Sequence, residues 1–577
     1  MNFELNLALE ELEKRTHKDY LIRKTMLEKD APEFNSLSDG DKEALKHLVK
    51  AAHKADIIFM KQDNELNLPF KKFLENEIKK GNKQAELSKI LFDAQLGIIG
   101  IDSESKPVIL LKGAEILPGK AFYPSDLTKE ELASILKKMI KDGKTEEVKK
   151  ILNQRTIVKR SGAELKAFDY TEEFKIEFSI IADELEAAAE TSSNKDFNEY
   201  LHLQAQALRE NNPMLDAEAD KKWASLEDAP LEFTISREQY ADLLTGTVME
   251  DAELKELLDK NGISPVSKDS IGVRAGIVNK KGTADLLKIK KYLPLMAENM
   301  PLKEKYEQNI SSEEDNLQTM IDADIVCLRG DEGAYRGGIT IAQNLPNNDK
   351  LSLTIGGGRR NVYHRQVRTN NTPEALERRK KRLNAVLNPE LHKYYNPEAD
   401  HWFTIGHENV HSLGPKSGTE ALGKYKNIIE ENKADMGSLA LLDCLEKAGV
   451  YNEEEKKQII VTFGADCFLK AKPELSQAHR VRTVMQAYFF IKEGVLSVDD
   501  NGVIDINTEK MTEAAKKMLT EIIEVQLSDD FSRGEKYIND YFCWTDDMER
   551  VSKKLREIDK SLNGMLVCPL ADSLIGA

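Results

Sequence analysis

The chain has 577 residues, 40% of them hydrophobic and 32% charged. That is enough to bury a large core, and too apolar for disorder along the whole length. The 83 basic and 100 acidic side chains leave a net charge of −17, which excludes the broad basic footprint of a general nucleic-acid binder. No run approaches the roughly 18–20 apolar residues of a membrane span.

The first twenty residues, MNFELNLALEELEKRTHKDY, mix acids and bases from the start. They lack the basic-then-apolar order of a secretory leader, so the expected compartment is the cytoplasm. The five cysteines form no CxxC pair. They are expected to be buried reduced thiols rather than a disulfide framework or a thiolate zinc site.

Residues 1–330 read as mainly helical. Asp39–Gly40–Asp41–Lys42 precedes the periodic run Ala44, Leu45, Leu48, Val49, Ala52, which places a helix start there. Lys71 to Leu91 continues in helical style with a break at Gly81–Asn82. Gly97 to Leu111 looks like two strands around a turn. Thr128 with Glu131 predicts a capping box, and Glu172 to Asn211 predicts one or two long helices. Glycines 333, 337, 338 and 356–358 then mark a change of character. ITIAQNL and LSLTI read as strands, with the loop Asn344–Leu345–Pro346–Asn347–Asn348–Asp349 between them. From Pro373 helices dominate again.

The chemistry concentrates at His407–Glu408–Asn409–Val410–His411, an H-E-x-x-H sequence. Histidines at i and i+4 share one helical face, so both imidazoles can reach one metal, and Glu408 stands beside them as a base. A catalytic zinc needs a third protein ligand and an open position. Glu430 and Glu431 lie about twenty residues downstream, and Glu431 with Asp435 forms an i, i+4 pair. Glu431 is the expected ligand. Asp435 is expected to accept a hydrogen bond from the non-metal nitrogen of a ligand histidine, with Glu430 as a further carboxylate behind the ligands. His479, in SQAHRVR, is a candidate donor to a developing oxyanion.

These pieces resemble the dipeptidyl peptidase III family, in its branch with a five-residue HExxH, which includes the peptidase-like region of plant Nudix-fused proteins. The resemblance rests on HENVHSLGP, EENKADMGSLALL, GGITIAQNLPNND, SQAHRVR and FTISREQYADLL, and extends from LPGKAFYPSDLTKEEL to QAHRVRTVMQAYFFIKEGV. It implies an α+β, mainly helical fold of two lobes around a wide cleft, with a helical zinc lobe and a lobe holding a small β-core. The expected divisions are a helical first lobe over 1–275, a helical joining segment over 276–335, a strand-rich peptide-binding element over 336–385 and the zinc lobe over 386–577.

The resemblance further implies one zinc ion on His407, His411 and Glu431. It implies a strand edge near Gly338 that pairs with an extended peptide. Glu238, Asn344 and Asn347 would then hold the substrate's N-terminal end, and Tyr240 and His479 would act as transition-state donors. The Nudix box of the plant fusions is absent. The expected activity is zinc-dependent release of dipeptides from short oligopeptides, cationic ones favoured, by a monomer or weak dimer without nucleic-acid or membrane partners. A zinc aminopeptidase, an oligopeptidase, or a peptide-binding protein without turnover are the alternatives.

Overall fold

The computed structural model describes residues 3–210, 212–226, 228–239, 241–308, 319–331, 342–345, 355, 360–364, 373–415 and 419–576. Most elements are helices, and their starts follow local chemistry. Ser38 caps the helix Asp39–Asp63 by accepting from Asp41 N. Asn82 caps Lys83–Gln95 just after Gly81, whose φ of +82° ends the preceding turn. The strands Ile99–Ile101 and Pro107–Ile109 form the expected hairpin. The stretch read as one or two long helices forms two, Lys175–Thr191 and Lys195–Arg209.

At Thr128 only half of the capping box forms. Thr128 Oγ1 accepts from Glu131 N, but the Glu131 carboxylate takes both terminal nitrogens of Arg160, at 2.9 and 2.8 Å. A bidentate guanidinium offers the carboxylate more than one backbone N–H does.

The main sheet has five strands in the order Leu231–Glu238, Ser270–Val278, Thr319–Gly330, Arg360–His364, Ala342–Leu345. Arg360–His364 runs parallel to Thr319–Gly330, and the other neighbours are antiparallel. Its three longest strands precede residue 331, in the stretch read as mainly helical, and Thr319–Gly330 lies in the segment expected to be a helical joiner. The reason is visible in the first strand. Glu232, Thr234, Ser236 and Glu238 alternate along it and are all buried, so polar residues occupy a face that a sequence reading assigns to solvent. Of the two strands foreseen after Gly338, Ala342–Leu345 is present as an edge strand, while LSLTI before Ile355 lies outside the described residues.

Two large hydrophobic cores meet at this sheet. One gathers residues between Met26 and Ile277, parts of the sheet, and Leu570 and Ala571 near the C-terminus. The other gathers residues from Leu286 to Leu555. Successive side chains of a strand point to opposite faces, and Ile321 and Val362 enter the first core while Met320 and Tyr363 enter the second. A smaller cluster holds Leu12, Phe70, Phe92 and Val108. All five cysteines are free thiols, with Cys327, Cys467 and Cys568 buried. Among the described residues no helix is long and apolar enough to cross a membrane.

Candidate metal centre

The helix Pro397–His411 begins where Asn396 accepts from Glu398 N and Pro397 occupies the first turn. It packs against the helix Lys426–Ala440 at very close range. A Cβ on Gly406 would lie 2.3 Å from Ser438 Oγ, and one on Gly437 would lie 2.4 Å from Val410 Cγ1. Only glycine permits that approach. A third fixture comes from the sheet, where Tyr363 OH donates to Ile405 O at 3.3 Å.

The close packing brings one atom each from His407, His411 and Glu431 within 4.8 Å of one another. The two Nε2 atoms are 3.1 Å apart. Glu431 lies 3.6 Å from His407 Nε2 and 3.9 Å from His411 Nε2. Ligands on a tetrahedral zinc stand about 3.3 Å from each other. Both rings turn their other nitrogen to a carboxylate, His407 Nδ1 to Asp435 Oδ1 at 2.7 Å and His411 Nδ1 to Glu430 Oε1 at 3.0 Å. With Nδ1–H donated in each ring, the two Nε2 lone pairs face each other, an arrangement that suits a shared cation. The donor set of two imidazoles and one carboxylate fits zinc.

The supporting carboxylates are themselves held. Asp435 Oδ2 accepts from Gln486 Nε2 at 2.9 Å and stands 2.9 Å from Arg482 Nε. Glu430 meets the buried Lys433 ammonium at 2.8 Å and accepts from Gln526 Nε2 at 2.9 Å. Burial works against charge on all three acids of the second helix, yet their cationic neighbours win. His479, His411 and Arg482 hold Glu431 well below the ordinary carboxylate value. Lys433 and His411 lower Glu430, and Arg482 and His407 lower Asp435. Glu408 goes the other way. Burial pushes its carboxyl above the ordinary value, against the pull of His407 and His411. A raised carboxyl beside a metal site is suited to taking and returning a proton.

His479, on the first turn of the helix Ala478–Lys492, stands 3.1 Å from Glu431 Oε2 and is half exposed. Arg482 NH1 donates to the same oxygen at 2.5 Å. Glu238 ends the strand Leu231–Glu238 and is buried. Asn344 sits in the edge strand Ala342–Leu345, paired in register with Asn361. Tyr240, Gly338 and Asn347 lie outside the described residues. Arg482, Gln486, Lys433 and Gln526 were not singled out from the sequence. Arg482 follows His479 by three residues, the one local signal available, whereas Gln526 is 96 residues from Glu430 and gave none.

No family model matches the chain. Its fold is that of the dipeptidyl peptidase III structures, an α+β, mainly helical architecture. The structure of DPP III from Caldithrix abyssi superposes with a TM-score of 0.76 at 23% identity, over 97% of this chain and 100% of that one. Dipeptidyl-peptidase III from Corallococcus sp. strain EGB gives a TM-score of 0.78 at 21% identity, over 98% of each chain. In sequence, the chain is similar to Nudix hydrolase 3 of Arabidopsis thaliana, 24% identical over 612 aligned positions that cover 94% of this chain and 72% of that protein.

Proposed function

We propose that the protein is a zinc-dependent dipeptidyl peptidase acting on short oligopeptides. The observation that carries this reading is the convergence of His407 Nε2, His411 Nε2 and the Glu431 carboxylate, with Glu408 beside them and both histidines oriented by acids. Zinc bound there would supply Lewis acidity toward the scissile carbonyl.

The chain's own residues account for the proton traffic. Glu408, with its raised carboxyl, takes the proton of the attacking water and returns it to the leaving amine. His479, half exposed beside Glu431, would donate to the oxygen on which charge develops. Tyr240 adds a second donor by resemblance. Glu238 is a buried carboxylate at the end of a sheet strand, suited to a peptide's α-ammonium. With Asn344 and Asn347 it would capture the free N-terminus two residues from the bond cut. The edge near Gly338 would pair with the extended substrate. The first and second lobes are taken as 1–275 with 336–385, and 386–577, joined through 276–335. The protein would act in the cytoplasm as a monomer or weak dimer.

The test is mass spectrometry of products from mixed short peptides, with and without chelator, on protein of measured zinc content. Chelator-sensitive release of N-terminal dipeptides is expected. Release of single residues would make it an aminopeptidase, and internal cuts an oligopeptidase. No cleavage by the zinc-loaded protein would leave a peptide-binding role.

A further inference from the structure

The helix that carries His479 is fastened across a boundary between hydrophobic clusters. Its Val481, Val484 and Met485 pack in the core that surrounds the metal-site helices. The hairpin Ile99–Ile101/Pro107–Ile109 packs in the small N-terminal cluster through Ile98, Val108 and Leu110. Arg480 joins them. Its NH1 donates to Ser105 Oγ at 2.9 Å and its NH2 to Ser103 O at 3.0 Å. Ser105 Oγ in turn donates to Gln477 Oε1 at 3.2 Å, and that oxygen also accepts from Glu474 N. The hairpin turn thus grips the helix at Gln477 and Arg480, on either side of His479.

Neither partner needs the other to form. Asp102 builds the turn by accepting from Glu104 N and Lys106 N at 2.9 and 3.0 Å, and is itself paired with Arg15 at 3.2 Å. Ser103 is tied on the far side, its N to Leu562 O and its Oγ to Ser561 O. The helix is held by its own apolar face. Residues 479 and 482 lie three apart and meet Glu431 on one side, while residue 480 projects about 100° around the helix toward the turn.

We propose that Arg480 is a positioning residue: by clamping the Asp102–Lys106 turn, it sets the first turn of the His479 helix, and so the placement of His479 at the metal centre. The inference rests on the peptidase reading for its catalytic meaning, but not for its structural one. A fixed donor matters because a misplacement of about 1 Å can cost up to 100-fold in rate.

The test uses the zinc-loaded full chain with Arg480→Ala, Arg480→Lys, Ser105→Gly and the Arg480→Ala/Ser105→Gly double variant. Ser105 has a φ of +62°, so glycine removes the hydroxyl without adding strain. Hydrogen exchange should rise over residues 476–484 in Arg480→Ala and stay unchanged over 407–411, with zinc content retained. kcat for dipeptide release should fall about ten-fold with KM within about two-fold, and Arg480→Lys should recover much of the loss. Ser105→Gly should cost about two- to three-fold, and the double variant should be no worse than Arg480→Ala alone, since both act through one clamp. Unchanged exchange over 476–484, an unchanged kcat in the active enzyme, or loss of zinc would overturn the proposal. Absence of dipeptide release by the wild-type protein would overturn the function reading instead, and the exchange measurement would still decide the clamp.

Discussion

The metal-site helices and the five-stranded sheet both bury charge, the first through His407, Glu431 and Asp435 and the second through Glu232, Arg274 and Arg360. In the sheet, Glu232 faces Arg274 at 3.5 Å and Arg360 at 3.6 Å. It also accepts from Trp223 Nε1 at 3.2 Å and from Thr234 Oγ1, and the Arg360 guanidinium lies 5.4 Å over the Trp223 ring. Opposite charges there close on one another. In the helices Asp435 and Glu430 have cationic neighbours too, but they also orient two rings whose remaining nitrogens converge on one spot. Burial of charge is common to both. What separates the cluster that could hold a metal from the structural ion pairs is where the lone pairs are aimed.

The largest expected effect sharpens that contrast. Glu408→Ala should retain stoichiometric zinc and lose turnover by about a thousand-fold or more, whereas His411→Ala should lose the metal. Zinc analysis beside a product assay reads both. Zinc retained by His411→Ala, or turnover retained by Glu408→Ala, would break the assignment.

Next comes the sheet. Glu232→Gln removes the charge that two buried guanidiniums face, and should cost about 3–5 kcal/mol in urea unfolding while the folded variant binds zinc normally. Loss of zinc at unchanged stability would mean that the two regions are one site.

Gly437→Ala tests the contact between the helices Pro397–His411 and Lys426–Ala440. Its Cβ would lie 2.4 Å from Val410 Cγ1, so the helices must part or Val410 must move by about 1 Å to restore ordinary contact. The expected results are a loss of about 1–3 kcal/mol in stability and weaker zinc retention against chelator. Unchanged zinc retention would show that the ligands tolerate the shift.

The smallest effect is in pH dependence. Burial, with Asp466 nearby, pushes the Asp400 carboxyl from its ordinary 3.8 up to about 7. The folded protein therefore holds this proton more tightly than the unfolded chain. The stability it contributes is complete below about pH 4 and is lost as pH rises through about 7. Asp400→Asn should flatten that decline and raise Tm at pH 8 by about 2 °C, measured by calorimetry from pH 5 to 8. A parallel Tm–pH curve for the variant would place the titration elsewhere.

Local spacing made the cluster that could hold a metal legible. His407 and His411 share a helical face by arithmetic, and Glu431 and Asp435 repeat the same four-residue step. The helix start near Asp39 and the break at Gly81–Asn82 were legible for the same reason, since a cap acts within three residues. The long sheet strands were hidden because Glu232, Thr234 and Ser236 present polar residues to an interior where the charge of Glu232 is met by Arg274 and Arg360, far along the chain. The half-formed box at Glu131 failed because Arg160 outbid a backbone amide.

The sequence by itself determined which side chains could hold a metal and which glutamate could serve it, because helical periodicity converts spacing directly into geometry. Only the tertiary structure decided that the two motif helices lie close enough for His407, His411 and Glu431 to converge. It also decided that Arg482, Gln486, Lys433 and Gln526 stand behind them, and that a hairpin some 370 residues upstream grips the His479 helix. Those are contacts between distant segments, and their energy depends on which surfaces the whole chain buries together, which no local pattern encodes.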